Sequence, residues 1–596
     1  MTKSLNSPLG VCVLPEAGSN AARTVSYPNY IHEILKHAGV CYQNVILEDL
    51  PEILPHLKLL LTVGEHPLSG EVKGLLRDWV SAGGAWLSVA GACGAGELFG
   101  AEAEPPASAK WRCGGAGVLG EGYLKPRDSS HPVLEHIRIP LHYFNGLPVK
   151  QAGGDALATI LDAHQRTTER AGIIENTVGN GKTLLICPDI TGTVVRIQQG
   201  VAVTRDGLSA PDGSSSICDA ALKTDDGAVL DWIFDREPAP GAPDLRAFLQ
   251  PVADQWRETL LRAIFYLAKE HNVALPVLWL YPRNLPALAH LSHDSDGNDP
   301  ACAVKMLETL SAAGIKSTWC IITPGYGHEV INAIRNNGHE LALHFDAYTE
   351  GTNWSEAELD SQWKHIVELF GGERPISNKN HFLRWEGDTE FFEWLERHGI
   401  EFDANKGASK IGEVGFNFGF CHPYFPIDPK GRLLNVLEIS TLSQDLGHFA
   451  PVEIADPILD AALRVHGIMH LVFHPAHIVK PNVKDNLVSL INKAKAFGME
   501  WWTGRRINAW ERARRGVQWN DYVQSANGAS VYLRTGNALS KASIMWLAAA
   551  NTQARVNGSE IGSQIVERWG FEFRSVTVDL EQEQNYLLEI TNVGNS

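Results

Sequence analysis

The stretch AHLSHDSDG, residues 289–297, decides the fold of the central part of the chain. Residues 289–292 have the length of a short buried strand, and two carboxylates, Asp294 and Asp296, follow at its end. Because side chains alternate along an extended chain, both carboxylates point the same way. In an α/β barrel the reactive groups collect at the carboxyl ends of the strands. The stretch therefore predicts a barrel strand that ends in one carboxylate for a cation and one that acts as a base.

The same pattern recurs downstream of this stretch. Strand-like segments end in polar residues that lie at equivalent positions, namely His344, His381, Asp403 and His474. Helical patterns lie between these segments. One of them begins at Ser355 with Glu358 three residues later, which is a capping box. The alternation predicts a (β/α) barrel over residues 276–515.

Two histidine-containing segments contribute further candidates. His339 and His344 are five residues apart, so one strand would place them on opposite faces, and His344, at the strand end, is the better ligand. His474 follows an apolar run and precedes Pro475, which favours a position at the open end of the barrel. The segment 377–387 adds a group of polar and aromatic residues at another strand end: Lys379, His381, Arg384 and Trp385.

On these motifs the central part of the chain resembles the polysaccharide deacetylases of carbohydrate esterase family four. The resemblance implies a deformed (β/α) barrel with five ordered motifs. Asp294 matches the family's base, Asp296 its first metal ligand, and His474 its acid. His344 matches the first histidine of the H-x-x-x-H metal motif, and Asp403 lies in the fourth motif. Lys379 or Arg384 falls where the family has an arginine that orients the base.

The sequence departs from this family at Tyr348, which stands where the second ligand histidine is expected. Catalytic zinc usually has three protein ligands, so we expect His381 to be the third, with Asp346 and His422 as weaker alternatives. The expected cofactor is one divalent ion, Zn first, with Co, Ni, Mn or Fe as alternatives. We expect Arg384, Asp403, Tyr348 and Trp385 to orient groups or bind substrate.

The first 275 residues alternate strand and helix patterns, which predicts a flavodoxin-like parallel sheet. Cys93 lies in GACGA after a strand, and this resembles the nucleophile elbow of class I glutamine amidotransferases. No His-x-Glu follows in the expected region. We therefore expect residues 1–275 to form an amidotransferase-like domain without a working triad. Residues 516–596 contain short strand patterns and predict a small β-sandwich.

The composition limits the partners. The net charge is −18, which argues against nucleic acids and anionic membranes. No apolar run is long enough to span a membrane, the N-terminus lacks the pattern of a secretory signal, and the nine cysteines include no C-x-x-C. These features predict a cytoplasmic protein, and a homo-oligomer is left open.

Together these features predict a metal-dependent hydrolase that removes an acyl group from an N- or O-acylated sugar. Three alternatives remain at this stage, and the first places the activity in the N-terminal part of the chain, at Cys93. The predicted metal site would also suit an amidohydrolase that acts on a small C–N substrate. If the third ligand is missing, the chain would be an inactive binding or scaffold protein.

Overall fold

The computed structural model describes residues 5–15, 23–104, 118–207, 221–409, 412–525, 527–547 and 552–592. The chain divides into two compact units, each built from several segments. Unit 1 comprises Met1–Val194, Gln255–Asn284 and Arg512–Ser596, and unit 2 comprises Val195–Asp254 and Leu285–Glu511. The three-domain division into 1–275, 276–515 and 516–596 stays a prediction.

Unit 1 contains a nine-stranded mixed sheet. Its strands, in spatial order, are Gln43–Asn44, Leu9–Val13, Leu59–Val63, Ala85–Val89, Gly181–Ile186, Thr167–Val178, Asp155–Asp162, Gly122–Pro126 and Leu141–Tyr143. The first five are parallel, in the order typical of flavodoxin-like sheets, and the last four are antiparallel. The predicted parallel sheet is therefore present in one half only. The helices that lie entirely within unit 1 are Tyr30–Ala38, Leu50–Ile53 and Gly70–Ser81.

Smaller antiparallel sheets complete unit 1. One has five strands: Gln518–Ser525, Gly528–Arg534, Asn585–Asn592, Thr552–Val556 and Ser559–Ile561. Another has four: Pro276–Leu278, Leu539–Leu547, Phe571–Leu580 and Gln564–Arg568. Ala101–Ala103 and Val149–Gln151 form a further pair. Pro276–Leu278 pairs with Leu539–Leu547, so the barrel strands begin later than residue 276, at Leu288–Asp294.

Unit 2 is a parallel half-barrel. Its strands, in spatial order, are Leu437–Glu438, Phe402–Asp403, Ser377–Asn380, Glu340–Phe345, Thr318–Ile321, Leu288–Asp294, Ile468–Val472 and Ser443–Gln444, and Glu500–Trp502 also pairs with Leu288–Asp294. A hairpin joins Glu237–Ala239 to Ala242–Ala247. The helices that lie entirely within unit 2 are Pro300–Ala313, His328–Asn336, Glu356–Leu369, Glu390–Arg397, Ala455–Arg464 and Val483–Ala496. The remaining α-helices of the described chain are Ile190–Gln199, Val252–Glu270 and Gly504–Arg515.

Local sequence signals fix the ends of the helices that pack on this half-barrel. The Ser355 hydroxyl accepts a hydrogen bond from the Glu358 N–H, which caps the predicted helix Glu356–Leu369. Gly314, with φ +62°, ends the helix Pro300–Ala313 in the left-handed conformation that glycine adopts at little cost.

The core of unit 2 forms between these helices and the strands, and it includes Leu291, Trp319 and Leu343. Because all strands of the half-barrel sheet are parallel, their carboxyl ends meet at one edge, and the candidate site lies there. Among the described residues, no helix is long and apolar enough to cross a membrane.

Candidate metal centre

Three predicted ligands converge at the carboxyl edge of the half-barrel. Asp296, His344 and His381 each offer one donor atom, and these atoms all lie within 4.8 Å of one another. Asp296 Oδ1 is 3.3 Å from His344 Nε2 and 3.8 Å from His381 Nε2. Asp296 lies two residues beyond its strand, His344 is the penultimate residue of Glu340–Phe345, and His381 directly follows Ser377–Asn380. The ends of three separate strands therefore position Asp296, His344 and His381, which we call the donor set.

Hydrogen bonds behind the two histidines orient their rings. The Nδ1–H of His344 donates to the carbonyl oxygen of Lys379 at 2.9 Å. The Nδ1–H of His381 donates to Asp346 Oδ1 at 3.0 Å. Each ring therefore directs Nε2 toward Asp296 as an acceptor. Histidine ligands of metals are commonly fixed in this way by a carbonyl or a carboxylate.

The donor atoms are consistent with a bound cation. Asp296 Oδ1 and His344 Nε2 are buried and have no hydrogen-bond partner among the described residues, which is costly unless something else satisfies them. Burial would raise the pKa of Asp296, yet the neighbouring histidines, His344 foremost, hold it below its ordinary value. Burial would lower the pKa of His344, yet Asp294 and Asp296 raise it. The site is thus electronegative, and two imidazoles with one carboxylate suit a catalytic zinc ion.

Asp294 and His474 lie beside this donor set. Asp294 Oδ2 is 4.0 Å from His344 Nε2 and 3.9 Å from His474 Nε2. His474 Nε2 is 3.6 Å from Asp296 Oδ2. Asp294 Oδ1 is buried without a hydrogen-bond partner among the described residues. The predicted base and acid therefore flank the place where the ligands converge.

A residue that the sequence analysis did not identify, Asp445, holds His474 in place. Its carboxylate accepts the His474 Nδ1–H at 2.5 Å and the His474 backbone N–H at 2.8 Å. It also accepts the Nδ1–H of His477 at 2.9 Å. Burial would lower the pKa of His474, but Asp445, with Asp294 and Asp296, raises it to about 9. At neutral pH His474 therefore carries a proton at Nε2, directed toward the donor set.

Asp445, His474 and His477 also form a second group of donor atoms within 4.8 Å of one another. The distances of 2.5 and 2.9 Å from Asp445 to the two histidines are those of charge-assisted hydrogen bonds. The only signal of Asp445 in the sequence is its position after the two-residue strand Ser443–Gln444, which is too short to show a pattern.

The residues predicted to bind substrate or to orient groups lie in different surroundings. Tyr348 is exposed, with its ring centroid 6.1 Å from that of His381. Arg384 forms an ion pair with Glu386 and donates to the carbonyl oxygen of Leu222.

Asp403 is fully buried at the carboxyl end of the strand Phe402–Asp403. It accepts hydrogen bonds from the side chains of Asn378 and Asn405. Trp385 is fully buried against Phe391 and Phe392 and lies under the Lys406 ammonium, so it cannot contact substrate. The expectation that Trp385 binds substrate does not fit this position, because its aromatic neighbours bury the ring in the core.

The other candidates have structural partners. Lys379 is buried, and its ammonium donates to the Thr441 hydroxyl at 2.6 Å. His422, one of the two alternative ligands, donates its Nε2–H to the carbonyl oxygen of Val465 at 2.7 Å. Asp346, the other alternative, holds His381 instead of offering a third ligand itself.

Cys93 in unit 1 lies in a turn with a positive φ of 58°. Its thiol is fully buried, and burial, with a smaller effect of Glu65, raises its pKa far above the ordinary value. The Glu65 carboxylate accepts the backbone N–H groups of Ala92 and Cys93 at 2.5 and 3.1 Å. A buried thiol beside a carboxylate is the opposite of an activated nucleophile.

Comparisons with known proteins give weak likenesses. No family model and no curated protein matches the chain. Among solved structures, a protein from Mycobacterium smegmatis assigned as a polysaccharide deacetylase is 18% identical over 39% of this chain and 93% of that chain, with a TM-score of 0.31. A family 4 acetyl xylan esterase from Clostridium thermocellum, in complex with a cobalt ion, is 14% identical over 37% and 90%, with a TM-score of 0.24. A β-galactosidase from Bacillus circulans is 13% identical over 32% and 30%, with a TM-score of 0.24. At these scores the likenesses do not decide the function, which has to be inferred from the geometry of the site.

Proposed function

We propose that this protein is a metal-dependent hydrolase that removes an acyl group from an N- or O-acylated sugar or glycan precursor. The observation that carries the proposal is the convergence of Asp296, His344 and His381 next to Asp294 and His474. It unites three ligands, a base and an acid within one site. Zinc is the first candidate, with cobalt, nickel, manganese or iron as alternatives.

The metal, when bound, makes its water more acidic and polarises the acyl carbonyl group. The Asp294 carboxylate accepts the proton of the attacking water. Its Oδ2 lies 4.0 Å from His344 Nε2, and its Oδ1 has no hydrogen-bond partner among the described residues, so this oxygen is available as an acceptor. His474 donates its Nε2 proton to the departing nitrogen or oxygen. Asp445 fixes the tautomer that this step needs, since it accepts the Nδ1–H. Such acid–base assistance contributes roughly 10²–10⁴ in rate.

The first experiment measures bound metal and activity together. Wild type, Asp296→Ala, His344→Ala and His381→Ala are purified without chelators, reconstituted with zinc, and analysed by mass spectrometry for metal content. His164→Ala, an exposed histidine of unit 1, is the matched control. We expect one equivalent in the wild type and the control, and a loss in the three ligand variants.

The same proteins are then assayed for acetate release from N-acetylated and O-acetylated sugars. Failure of the wild type to bind zinc, cobalt or nickel would refute the proposal and favour a binding or scaffold protein. Metal binding with hydrolysis of small amides only would favour the amidohydrolase alternative. We further propose that unit 1 has no glutaminase activity. The buried Cys93 supports this, and Cys93→Ala is expected to leave the hydrolysis rate unchanged.

A further inference from the structure

A second group of donor atoms lies behind the proposed acid. Asp445, His474 and His477 each offer one ligand atom, and these atoms all lie within 4.8 Å of one another. Asp445 Oδ2 is 2.5 Å from His474 Nδ1 and 2.9 Å from His477 Nδ1. Both imidazoles therefore direct the same ring nitrogen at one carboxylate oxygen. We call these three residues the rear cluster.

A tight turn brings the two histidines of the rear cluster together. They are the ends of the sequence H-x-x-H at 474–477, and one turn of 3₁₀ helix, Pro475–His477, follows His474 directly. The His477 N–H donates to the carbonyl oxygen of His474 at 3.0 Å, which is the i to i+3 bond of this helix type. The two ring centroids are 5.0 Å apart as a result. The local sequence therefore presents both rings to the same carboxylate.

The backbone holds Asp445 opposite this turn in an uncommon conformation. Its φ is +37°, which is costly for residues other than glycine, although aspartate tolerates it better than most. The Asp445 carbonyl oxygen accepts the N–H groups of His448 and Phe449 at 2.8 and 3.1 Å. Its carboxylate also accepts the backbone N–H of His474. Residues that their surroundings fix in such a conformation cluster at functional sites.

The rear cluster is most accessible at His477. The side chain of His477 is 16% exposed, whereas that of Asp445 is fully buried and that of His474 is 8% exposed. An exposed histidine, His448, lies beside His477, with ring centroids 4.7 Å apart. Solvent therefore reaches the rear cluster on the His477 side, where a water molecule can complete the coordination of an ion.

The donors of the rear cluster suit zinc, but protons compete for them. Two imidazole nitrogens and one carboxylate oxygen are a common zinc ligand set, with water in the fourth position. In the structure both Nδ1–H groups donate to Asp445, and these protons have to leave before a metal binds. His344 and His381 differ, because each already directs an Nε2 acceptor at Asp296. A second ion should therefore bind more weakly than the first and be lost when excess zinc is removed.

We propose that the rear cluster binds a second zinc ion and that this ion inhibits the enzyme. The proton on each Nδ1 passes to solvent when zinc binds, and each ring then carries a single proton, at Nε2. The Nε2–H of His474 then belongs to a neutral ring, which is a far weaker acid than an imidazolium ion. His474 can no longer protonate the leaving group. The inhibition rests on the proposed function, whereas the binding of the second ion does not.

Binding is measured first. Metal-free protein is titrated with zinc by calorimetry beyond two equivalents, and we expect two events in the wild type, the second one weaker. His477→Ala and His477→Gln should weaken the second event by more than the roughly 10- to 100-fold that loss of an outer hydrogen-bond partner costs. Glutamine keeps a side-chain N–H that can donate to Asp445, so His477→Gln separates loss of the ligand from loss of the hydrogen bond.

His448→Ala is the matched control. His448 lies next to His477 but is not one of the three donors, so its variant should keep both binding events. Circular dichroism should show that all variants are folded. If the wild type shows no second event, or if both His477 variants keep it unchanged, the inference is wrong.

Activity tests the inhibition. Acetate release is measured at one equivalent of zinc and again at a concentration that fills the second site. The excess should slow wild type and His448→Ala by roughly 10²-fold, the lower range for loss of an acid. His477→Gln should keep the rate that it has at one equivalent. An equal loss in His477→Gln would refute inhibition through the rear cluster.

The two proposals fail in different ways. A single binding event that His344→Ala abolishes and His477→Gln leaves intact would refute the second site and keep the proposed metal centre. A single event that His477→Gln weakens and His344→Ala leaves intact would keep the rear cluster and refute the metal centre that the proposed function needs.

Discussion

Asp346 is expected to control metal affinity although it is not a proposed ligand. Its Oδ1 accepts the Nδ1–H of His381 at 3.0 Å and the backbone N–H groups of Tyr348 and Thr349 at 2.9 and 3.1 Å. Asp346→Ala removes the charged acceptor that fixes the His381 ring. A hydrogen bond to a charged group contributes about 1.5–3 kcal/mol. At about 1.4 kcal/mol per factor of ten, zinc should bind roughly 10- to 100-fold more weakly.

The assay is competition for zinc against a chromogenic chelator. Asp346→Asn keeps a neutral oxygen acceptor, so we expect a smaller loss than for Asp346→Ala. Asp360→Ala is the control, because Asp360 also lies next to a histidine, His398, but away from the site on helix Glu356–Leu369. It should leave zinc affinity unchanged.

A double variant provides the sharpest test. If Asp346 acts only through His381, then Asp346→Ala combined with His381→Ala should bind zinc no more weakly than His381→Ala alone. Wild-type affinity in Asp346→Ala, or fully additive losses in the double variant, would refute this reasoning.

Four further predictions follow from the same geometry. Asp294→Asn should keep its metal and lower kcat roughly 10²- to 10⁴-fold, measured by acetate release with metal content as the control. Asp445→Asn should lower kcat by about 10²-fold without loss of metal, because His474 loses the negative charge that accepts its Nδ1–H and keeps it protonated; an unchanged rate would contradict the role of Asp445. Trp385→Ala should destabilise the half-barrel by about 3–5 kcal/mol in urea unfolding, since the ring is fully buried; a loss below about 1 kcal/mol would contradict this core position. Burial raises the pKa of Asp189 to about 7, so the folded state keeps a proton that the unfolded state loses above about pH 4; stability should therefore fall as the pH rises from about 4 to 7, and Asp189→Asn should flatten this slope in unfolding curves.

Much of the half-barrel could be predicted because its signals are local. The helix Glu356–Leu369 begins where the Ser355 capping box predicts. Parallel strands bring their carboxyl ends to one edge, so the strand ends that carry His344 and His381 could be grouped without knowing the sheet order. That grouping is why His381 could be named a candidate ligand from strand position alone.

The rest depended on information that the sequence does not carry locally. Asp445 follows a strand of two residues, and its role arises only from the fold around His474. Trp385 lies in a loop of mixed composition, and the aromatic residues that bury it could not be placed in advance. The exposure of Phe382 results from a backbone conformation that is rare for phenylalanine, so no propensity predicts it.

The separation of the three donor residues along the chain has a consequence for the order of folding events. Asp296, His344 and His381 are brought together by three strands, and Thr318–Ile321 lies between two of them in the sheet. The loops between the donors must close before the proposed metal ion could gain three ligands, and closing them costs entropy in advance. On this proposal metal capture would be a late event, and a nascent chain that ends before His381 holds an incomplete set of donors. Zinc-dependent protection against proteolysis during refolding would report the moment at which these four strands have paired.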